Sequence, residues 1–126
     1  LIQTEPTKRN KVWSTDITYI PTQQGWAYLS TIMDRYTKKV IAWDLGKRMT
    51  VELVQRTLNK AIKSQDYPEV VILHSDQGSQ YTSLEYEELL KYYGMTHSFS
   101  RRGYPYHNAS LESWHGHLKK RVGVPI

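Results

Sequence analysis

Residues 13–20 read Trp-Ser-Thr-Asp-Ile-Thr-Tyr-Ile, and the largely alternating apolar side chains predict a strand over residues 12–20. The acidic residue in this strand, Asp16, is unusual because a buried carboxylate is costly unless something pairs with it. Residues 70–76 read Val-Val-Ile-Leu-His-Ser-Asp, which predicts a buried strand over residues 70–74 followed by Asp76. A third acid, Glu112, lies in a helix-like stretch after 35 further residues.

Three carboxylates brought together repel one another, and a divalent cation removes that cost. Oxygen ligands favour a hard ion, so the acids predict a Mg²⁺ or Mn²⁺ site. Phosphodiester cleavage fits two such ions, because one can serve the attacking oxygen and the other the leaving oxygen. We expect two ions when DNA is bound, with Asp16 as the bridging ligand and Asp76 and Glu112 each holding one. The alternative is that the three acids are unrelated surface residues.

The remaining pattern predicts an α/β fold with the element order β-β-β-α-β-α-β-α. A helix before the fourth strand is a crossover, so this strand should run parallel to the first, with Asp16 and Asp76 meeting at one end of the sheet. The other predicted elements are strands over residues 26–33, 39–46 and 95–99 and helices over residues 51–64, 84–93 and about 108–121.

Length and composition restrict the class of protein. The chain has 126 residues and 39% apolar residues, which suits one globular domain, with residues 1–11 as a linker and residues 12–126 as the core. It has no cysteine, which excludes disulfides and thiolate metal sites. No apolar run is long enough to span a membrane, and no signal peptide is visible, so we expect a cytoplasmic protein without a membrane partner.

The formal net charge is +5, and basic residues are concentrated near the C-terminus. From residue 96 onward there are five basic residues and a single acid, Glu112. A basic surface beside an acidic metal site favours a polyanionic substrate such as DNA. The alternative is a basic face that serves only solubility. His115 and His117 are two residues apart, which does not suit a helical zinc pair.

Three stretches resemble the catalytic core of insertion-sequence transposases related to retroviral integrases, the Asp-Asp-Glu superfamily. These stretches are residues 13–20, residues 74–81 (His-Ser-Asp-Gln-Gly-Ser-Gln-Tyr) and residues 108–113 (Asn-Ala-Ser-Leu-Glu-Ser). The 35-residue gap between the second and third acids is also typical of this family. The resemblance covers nearly the whole chain. It implies a ribonuclease-H-like fold with a five-stranded mixed sheet flanked by helices.

The same resemblance implies Mg²⁺-dependent DNA strand cleavage and strand transfer, with Asp16, Asp76 and Glu112 as catalytic metal ligands. It also implies DNA partners (transposon ends and target), a homo-oligomer on DNA, and a bacterial, nucleoid-associated location. A lysine at the offset of Lys119 contacts the DNA end in similar integrases. The other expected DNA contacts are His115, Arg101, Arg102 and Lys120.

Two features depart from the family pattern. Related transposases commonly have Asp where this chain has His107, and the chain ends soon after the last predicted helix, which suggests a core truncated at its C-terminal end. Two rival functions remain: a ribonuclease-H-like nuclease that only hydrolyses, and a catalytically silent DNA-binding or oligomerisation module. Three other acids, expected to serve solvation only, are Asp34, Asp44 and Asp66.

Overall fold

The computed structural model of the chain describes residues 5–100. Its elements are β1 (Val12–Thr22), β2 (Gly25–Asp34), β3 (Lys39–Gly46), α1 (Val51–Ser64), β4 (Ile72–Ser75), α2 (Ser79–Thr82), α3 (Leu84–Tyr92) and β5 (Thr96–Phe99). The sheet has five strands in the order β3-β2-β1-β4-β5. Pairing is antiparallel from β1 to β3 and parallel from β1 through β4 to β5. The predicted mixed α/β sheet is therefore confirmed.

The first three strands form a meander because two short turns join them. Gly25 begins β2 with φ +110°, a backbone conformation that glycine adopts without steric cost. The Thr22 hydroxyl donates to the carbonyl of Gly25 at 2.6 Å and closes this hairpin. In the second turn, the amide of Lys38 donates to the carbonyl of Asp34 at 2.9 Å. Because β4 pairs with the other side of β1, β1 is the central strand of the sheet.

Helix α1 is the crossover that returns the chain to the sheet. The Thr50 side chain caps its N-terminus by accepting from the amide of Leu53 at 3.3 Å. Its buried face carries residues at helical spacing, including Leu53, Val54, Leu58 and Ile62, and packs against the strands. This crossover explains why β4 runs parallel to β1.

The second half of the fold differs from the sequence-based prediction in two details. Val70 has φ +49° and is exposed, so β4 begins at Ile72 rather than at Val70. The amide of Ile72 bonds the carbonyl of Lys11, which starts β4 where β1 starts. The segment after β4, where no helix was predicted, contains the short helix α2. Ser83 then caps α3, and Gly94, with φ +71°, follows its end.

One hydrophobic core lies between the sheet and the helices, and it includes Trp13, Ile32, Leu58, Leu73 and Leu90. Because β1 and β4 are parallel, their C-terminal ends lie at the same edge of the sheet. Several predicted residues lie outside the described range: the final helix over about 108–121, Glu112 within it, and Arg101, Arg102, His115, Lys119 and Lys120.

Candidate active site

The register between β1 and β4 determines how the segments that carry two of the predicted acids are aligned. Val12 pairs with Ile72, and Ser14 pairs with His74. Asp16 and Asp76 each lie two residues beyond the Ser14–His74 pair, Asp16 within β1 and Asp76 in the loop after β4. Because the two strands are parallel and adjacent, both acids follow this pair in the same direction along the sheet. Their meeting at one metal site stays a prediction.

The two acids differ in their local surroundings. Asp16 is partly buried within β1, and its Oδ1 accepts from the amide of Ile17 at 2.9 Å. Asp76 is exposed in the loop after β4, and its Oδ1 accepts from the amide of Gly78 at 2.7 Å. One carboxylate is therefore held on a rigid strand, and the other is held by a local turn.

Gly78 has a steric role in this turn. Its φ of −60° is accessible to any residue, so conformational freedom is not the reason for glycine here. A Cβ at this position would lie 2.9 Å from Asp76 Oδ1 and 2.8 Å from Gln80 Nε2. Both distances are shorter than real Cβ contacts. The missing side chain therefore leaves the space that the Asp76 carboxylate occupies.

The buried Tyr81 contacts Thr15, the residue before Asp16 on β1. The Tyr81 hydroxyl is 3.4 Å from that of Thr15, which itself donates to the carbonyl of Thr31 at 2.9 Å. Burial and then the neighbouring Tyr86 raise the pKa of Tyr81, and the charges of Asp16 and Asp76 raise it further, whereas the Thr15 hydrogen bond lowers it. The negative charges of both carboxylates thus act on the same hydroxyl group.

Three polar side chains, Glu87, His97 and Ser75, form a line of polar contacts that ends at the backbone carbonyl of Asp76. The ring of His97 on β5 contacts Glu87 of α3 through Nδ1, and its Nε2 lies 2.7 Å from the Ser75 hydroxyl. Ser75 in turn donates to the carbonyl of Asp76 at 2.8 Å. No role was predicted for Glu87, His97 or Ser75 from the sequence. His97 lies within a short predicted strand, and a buried polar side chain needs a hydrogen-bond partner. This position could have indicated the contacts with Glu87 and Ser75.

The donor chemistry of the described site fits a hard divalent cation. Asp16 and Asp76 offer oxygen atoms only, and both are at least partly accessible. Within residues 5–100, no group of three or more His, Cys, Asp or Glu side chains could hold a metal ion. The third predicted ligand, Glu112, and all five predicted DNA contacts lie outside the described residues. Their assignment stays a prediction.

The expectation that three other acids serve solvation only was wrong for Asp34 and Asp44, whereas Asp66 is exposed as expected. Asp34 is 1% exposed, and its carboxylate accepts from the amides of Asn10 at 3.1 Å and Tyr36 at 2.9 Å. Asp44 is partly exposed and forms ion pairs with Arg56 and Lys60 at 3.0 and 3.3 Å. Burial opposes ionisation of Asp44, but these two bases lower its pKa overall.

The integrase core domain family matches residues 6–105, and the chain belongs to this family. It is 45% identical over 114 residues to the insertion element IS600 uncharacterized 31 kDa protein of Shigella sonnei, across 90% of this chain and 42% of that protein. It is 40% identical over 116 residues to the transposase for insertion sequence element IS904 of Lactococcus lactis, across 92% and 46%. The transposase InsF for insertion sequence IS3A of Escherichia coli is 39% identical over 110 residues, across 87% and 38%. The chain thus spans less than half the length of these relatives.

Solved structures of retroviral integrases share the fold. The simian T-cell lymphotropic virus intasome in complex with PP2A regulatory subunit B56 gamma matches with a TM-score of 0.79 and 21% identity, across 93% of this chain and 41% of that chain. The HTLV-2 integrase catalytic core domain in complex with magnesium, in its dimeric form, matches with a TM-score of 0.74 and 20% identity, across 90% and 70%. The ribonuclease-H-like fold and the predicted family are therefore confirmed. Within residues 5–100, every helix is too short or too polar to cross a membrane.

Proposed function

We propose that the chain is the catalytic core of a DNA transposase, which cuts and joins DNA strands with divalent cations held by Asp16, Asp76 and Glu112. Residues 12–126 form this core, and residues 1–11 are a linker. The observation that carries the proposal is the parallel β1–β4 register, which supports a site shared by Asp16 and Asp76 at one end of the sheet. The family match and the named transposases among the relatives support the same reaction.

The cofactor is Mg²⁺ or Mn²⁺, with two ions present when DNA is bound. The related HTLV-2 integrase core was solved with magnesium, which supports this choice. When bound, the ions supply charge neutralisation at the phosphate and activation of the attacking oxygen. The chain's own contribution is to orient the carboxylates: β1 fixes Asp16, and the amide of Gly78 fixes Asp76. No protein side chain has to act as general base.

DNA binds at the basic surface around this edge. Lys119, His115, Arg101, Arg102 and Lys120 are the proposed contacts with the DNA backbone. Among the described residues, Lys47 and Arg48 are exposed directly after β3. Since β3 runs in the same direction as β1, these two bases follow a strand that ends at the same edge. Their position favours a polyanion along this side of the sheet.

The active assembly is a homo-oligomer on paired transposon ends, in a bacterial cytoplasm and in contact with the nucleoid. Two structural neighbours support an assembly of this kind, because one is an intasome and the other is a dimeric catalytic core. The bacterial insertion-sequence relatives support the location.

The first test compares Asp16→Asn with Asp66→Asn in the 126-residue chain. Both variants remove one negative charge, but Asp66 is exposed in the loop after α1. Asp16→Asn should abolish Mn²⁺-dependent nicking of a duplex with a transposon end and weaken Mn²⁺ binding in calorimetry, while DNA binding persists. Asp66→Asn should match the parent chain in all three measurements. Equal nicking and equal Mn²⁺ binding by both variants would show that the enzymatic proposal is wrong.

The second test separates a transposase from a nuclease that only hydrolyses. A pre-cleaved transposon end with a free 3′-hydroxyl is mixed with a labelled target duplex and Mn²⁺. A transposase core joins the two DNAs, and the product migrates as a longer strand on a denaturing gel. Shortened strands without any joined product would instead identify a hydrolytic nuclease.

A further inference from the structure

The polar contacts that link α3 to the candidate site have no role in the proposed function so far. It contains Glu87 on α3, His97 on β5 and Ser75 at the end of β4, and it ends on the backbone carbonyl of Asp76. None of its three side chains belongs to the Asp-Asp-Glu set. Three different elements nevertheless contribute to it, and it meets the chain at a proposed metal ligand.

The surroundings of His97 hold its ring in one orientation. The side chain is 5% exposed, and Ser75 is fully buried. The ring of Phe99 lies against the imidazole at a centroid distance of 3.9 Å, and Tyr86 approaches it edge-on at 6.1 Å. Rotation of His97 would break this packing and both of its polar contacts. The line is therefore a fixed part of the structure.

The hydrogen bond from Ser75 determines which group donates and which accepts in the next contact. The Ser75 hydroxyl has one proton, and in the structure it points to the carbonyl of Asp76. The Ser75 oxygen must then accept from His97 Nε2, which has to carry hydrogen. On the other side of the ring, Nδ1 contacts Glu87. Glu87 thus sets the orientation of His97, His97 sets that of Ser75, and Ser75 holds Asp76.

We propose that Glu87, His97 and Ser75 are positioning residues that fix the backbone of Asp76 and so hold its carboxylate ready for a divalent cation. This inference rests on the proposed function, because it assumes that Asp76 is a metal ligand. Polar groups behind a metal ligand commonly tune affinity through its orientation. Here the effect acts through the backbone of the ligand, and the carboxylate itself is held by Gly78.

The test uses three variants of the 126-residue chain and measures Mn²⁺ affinity by calorimetry. Ser75→Ala removes the donor to Asp76, and His97→Leu removes the donor to Ser75. Each should weaken Mn²⁺ binding about tenfold, as is typical for loss of such a group. His97→Gln can still present an N–H to Ser75, so it should recover most of the affinity. Exposed Tyr92→Phe on α3 is the matched control and should leave affinity unchanged.

A metal-free readout keeps the inference separate from folding defects. The amide of Gly78 donates to the Asp76 carboxylate, so its hydrogen exchange reports whether that carboxylate stays in place. In EDTA, Ser75→Ala and His97→Leu should exchange this amide several times faster, while the amides of β2 keep their protection. A uniform increase across the sheet would indicate general destabilisation and would overturn the positioning role.

The Asp76→Asn variant distinguishes a failure of the positioning proposal from a failure of the proposed metal site. If Asp76→Asn loses Mn²⁺ binding but the Ser75 and His97 variants bind like the parent chain, the positioning proposal is wrong and the metal site stands. If Asp76→Asn also binds Mn²⁺ normally, the metal site itself is wrong. Equal losses in His97→Gln and His97→Leu would show that the N–H toward Ser75 has no part in the effect.

Discussion

Ser14 of β1 lies opposite His74 of β4 in parallel register, and each residue stands two positions before a proposed metal ligand. The pairing of these two residues thus aligns the segments that lead to Asp16 and Asp76. Both partners are buried, so the register is enforced by packing as well as by backbone hydrogen bonds. A shift by one residue would turn Asp16 or Asp76 to the other face of the sheet.

Gly78→Ala should damage the site without unfolding the protein. The new Cβ would lie 2.9 Å from Asp76 Oδ1, so the carboxylate or the turn must move. We expect Mn²⁺ affinity to fall about tenfold in calorimetry, on the scale of other disturbances near a metal ligand. Unfolding in urea should change little because this turn is at the surface.

Gly94→Ala is the contrasting control for that experiment. Gly94 has φ +71° but no heavy atom within 4 Å of a built Cβ, so the variant suffers backbone strain without a clash. It should lose about 1 kcal/mol of stability and keep its Mn²⁺ affinity. If both glycine variants bound Mn²⁺ like the parent chain, the steric role of Gly78 would be refuted.

The sequence was sufficient for the sheet because its signals are local and periodic. Alternation in β1, the capped amphipathic α1 and the apolar run before Asp76 predicted the elements and the crossover, and the parallel pairing of β1 with β4 agrees with them. The start of β4 was missed by two residues, because an apolar residue such as Val70 carries no sign of its left-handed backbone.

The polar interior was harder to predict because its partners are distant in sequence. Tyr81 meets Thr15 across 66 residues, and His97 meets Ser75 across 22. No spacing rule reveals such pairs. Asp34 was misjudged for a related reason: a carboxylate at a strand end usually faces water, and only the folded chain shows that two backbone amides enclose it.

Tyr81→Phe should lower stability by about 1 kcal/mol, the usual net value of one hydrogen bond. The Tyr81 hydroxyl is buried and lies 3.4 Å from Thr15, whose own proton goes to Thr31. Loss of the hydroxyl leaves that buried oxygen without this donor. Urea unfolding monitored by circular dichroism would measure the change. Tyr92→Phe, at a side chain that is 80% exposed, should stay within error of the parent chain, and an equal effect in both variants would contradict the prediction.

Stability should fall as pH decreases from about 6.5 to 4, because His74 is buried in its neutral form. Burial, with a further contribution from the charge of Arg35, lowers the pKa of His74 to about 4 from the ordinary 6.5. The unfolded chain therefore takes up a proton at a higher pH than the folded chain does. The stabilisation is complete above pH 6.5 and is lost progressively below it. The loss should reach about 2 kcal/mol at pH 5, since each pKa unit corresponds to about 1.4 kcal/mol.

His74→Gln isolates this contribution. Glutamine does not titrate, so the slope of stability against pH should become shallower in this variant. Urea unfolding in EDTA at pH 7.5, 6 and 5 would measure both slopes. Burial also lowers the pKa of His97 despite the opposing effect of Glu87, so part of the slope should remain. Identical slopes in the variant and the parent chain would rule out His74 as the source.

Asp34→Ala should be among the more damaging single substitutions outside the site. The carboxylate is 1% exposed, and it accepts the amides of Asn10 and Tyr36, which fasten the segment before β1 to the turn after β2. Its removal leaves two amides without this acceptor, at a cost of about 1–3 kcal/mol each when buried. We expect a total loss of about 3 kcal/mol in urea unfolding. Mn²⁺ affinity should stay unchanged because Asp34 pairs with Trp13, three residues before Asp16 on β1, and its carboxylate bonds the amides of Asn10 and Tyr36. Asp34→Asn retains one acceptor oxygen and should lose less, whereas Glu88→Ala, at an exposed position of α3, should lose almost nothing. A ranking in which Glu88→Ala equals Asp34→Ala would show that the buried carboxylate contributes no more than a surface one.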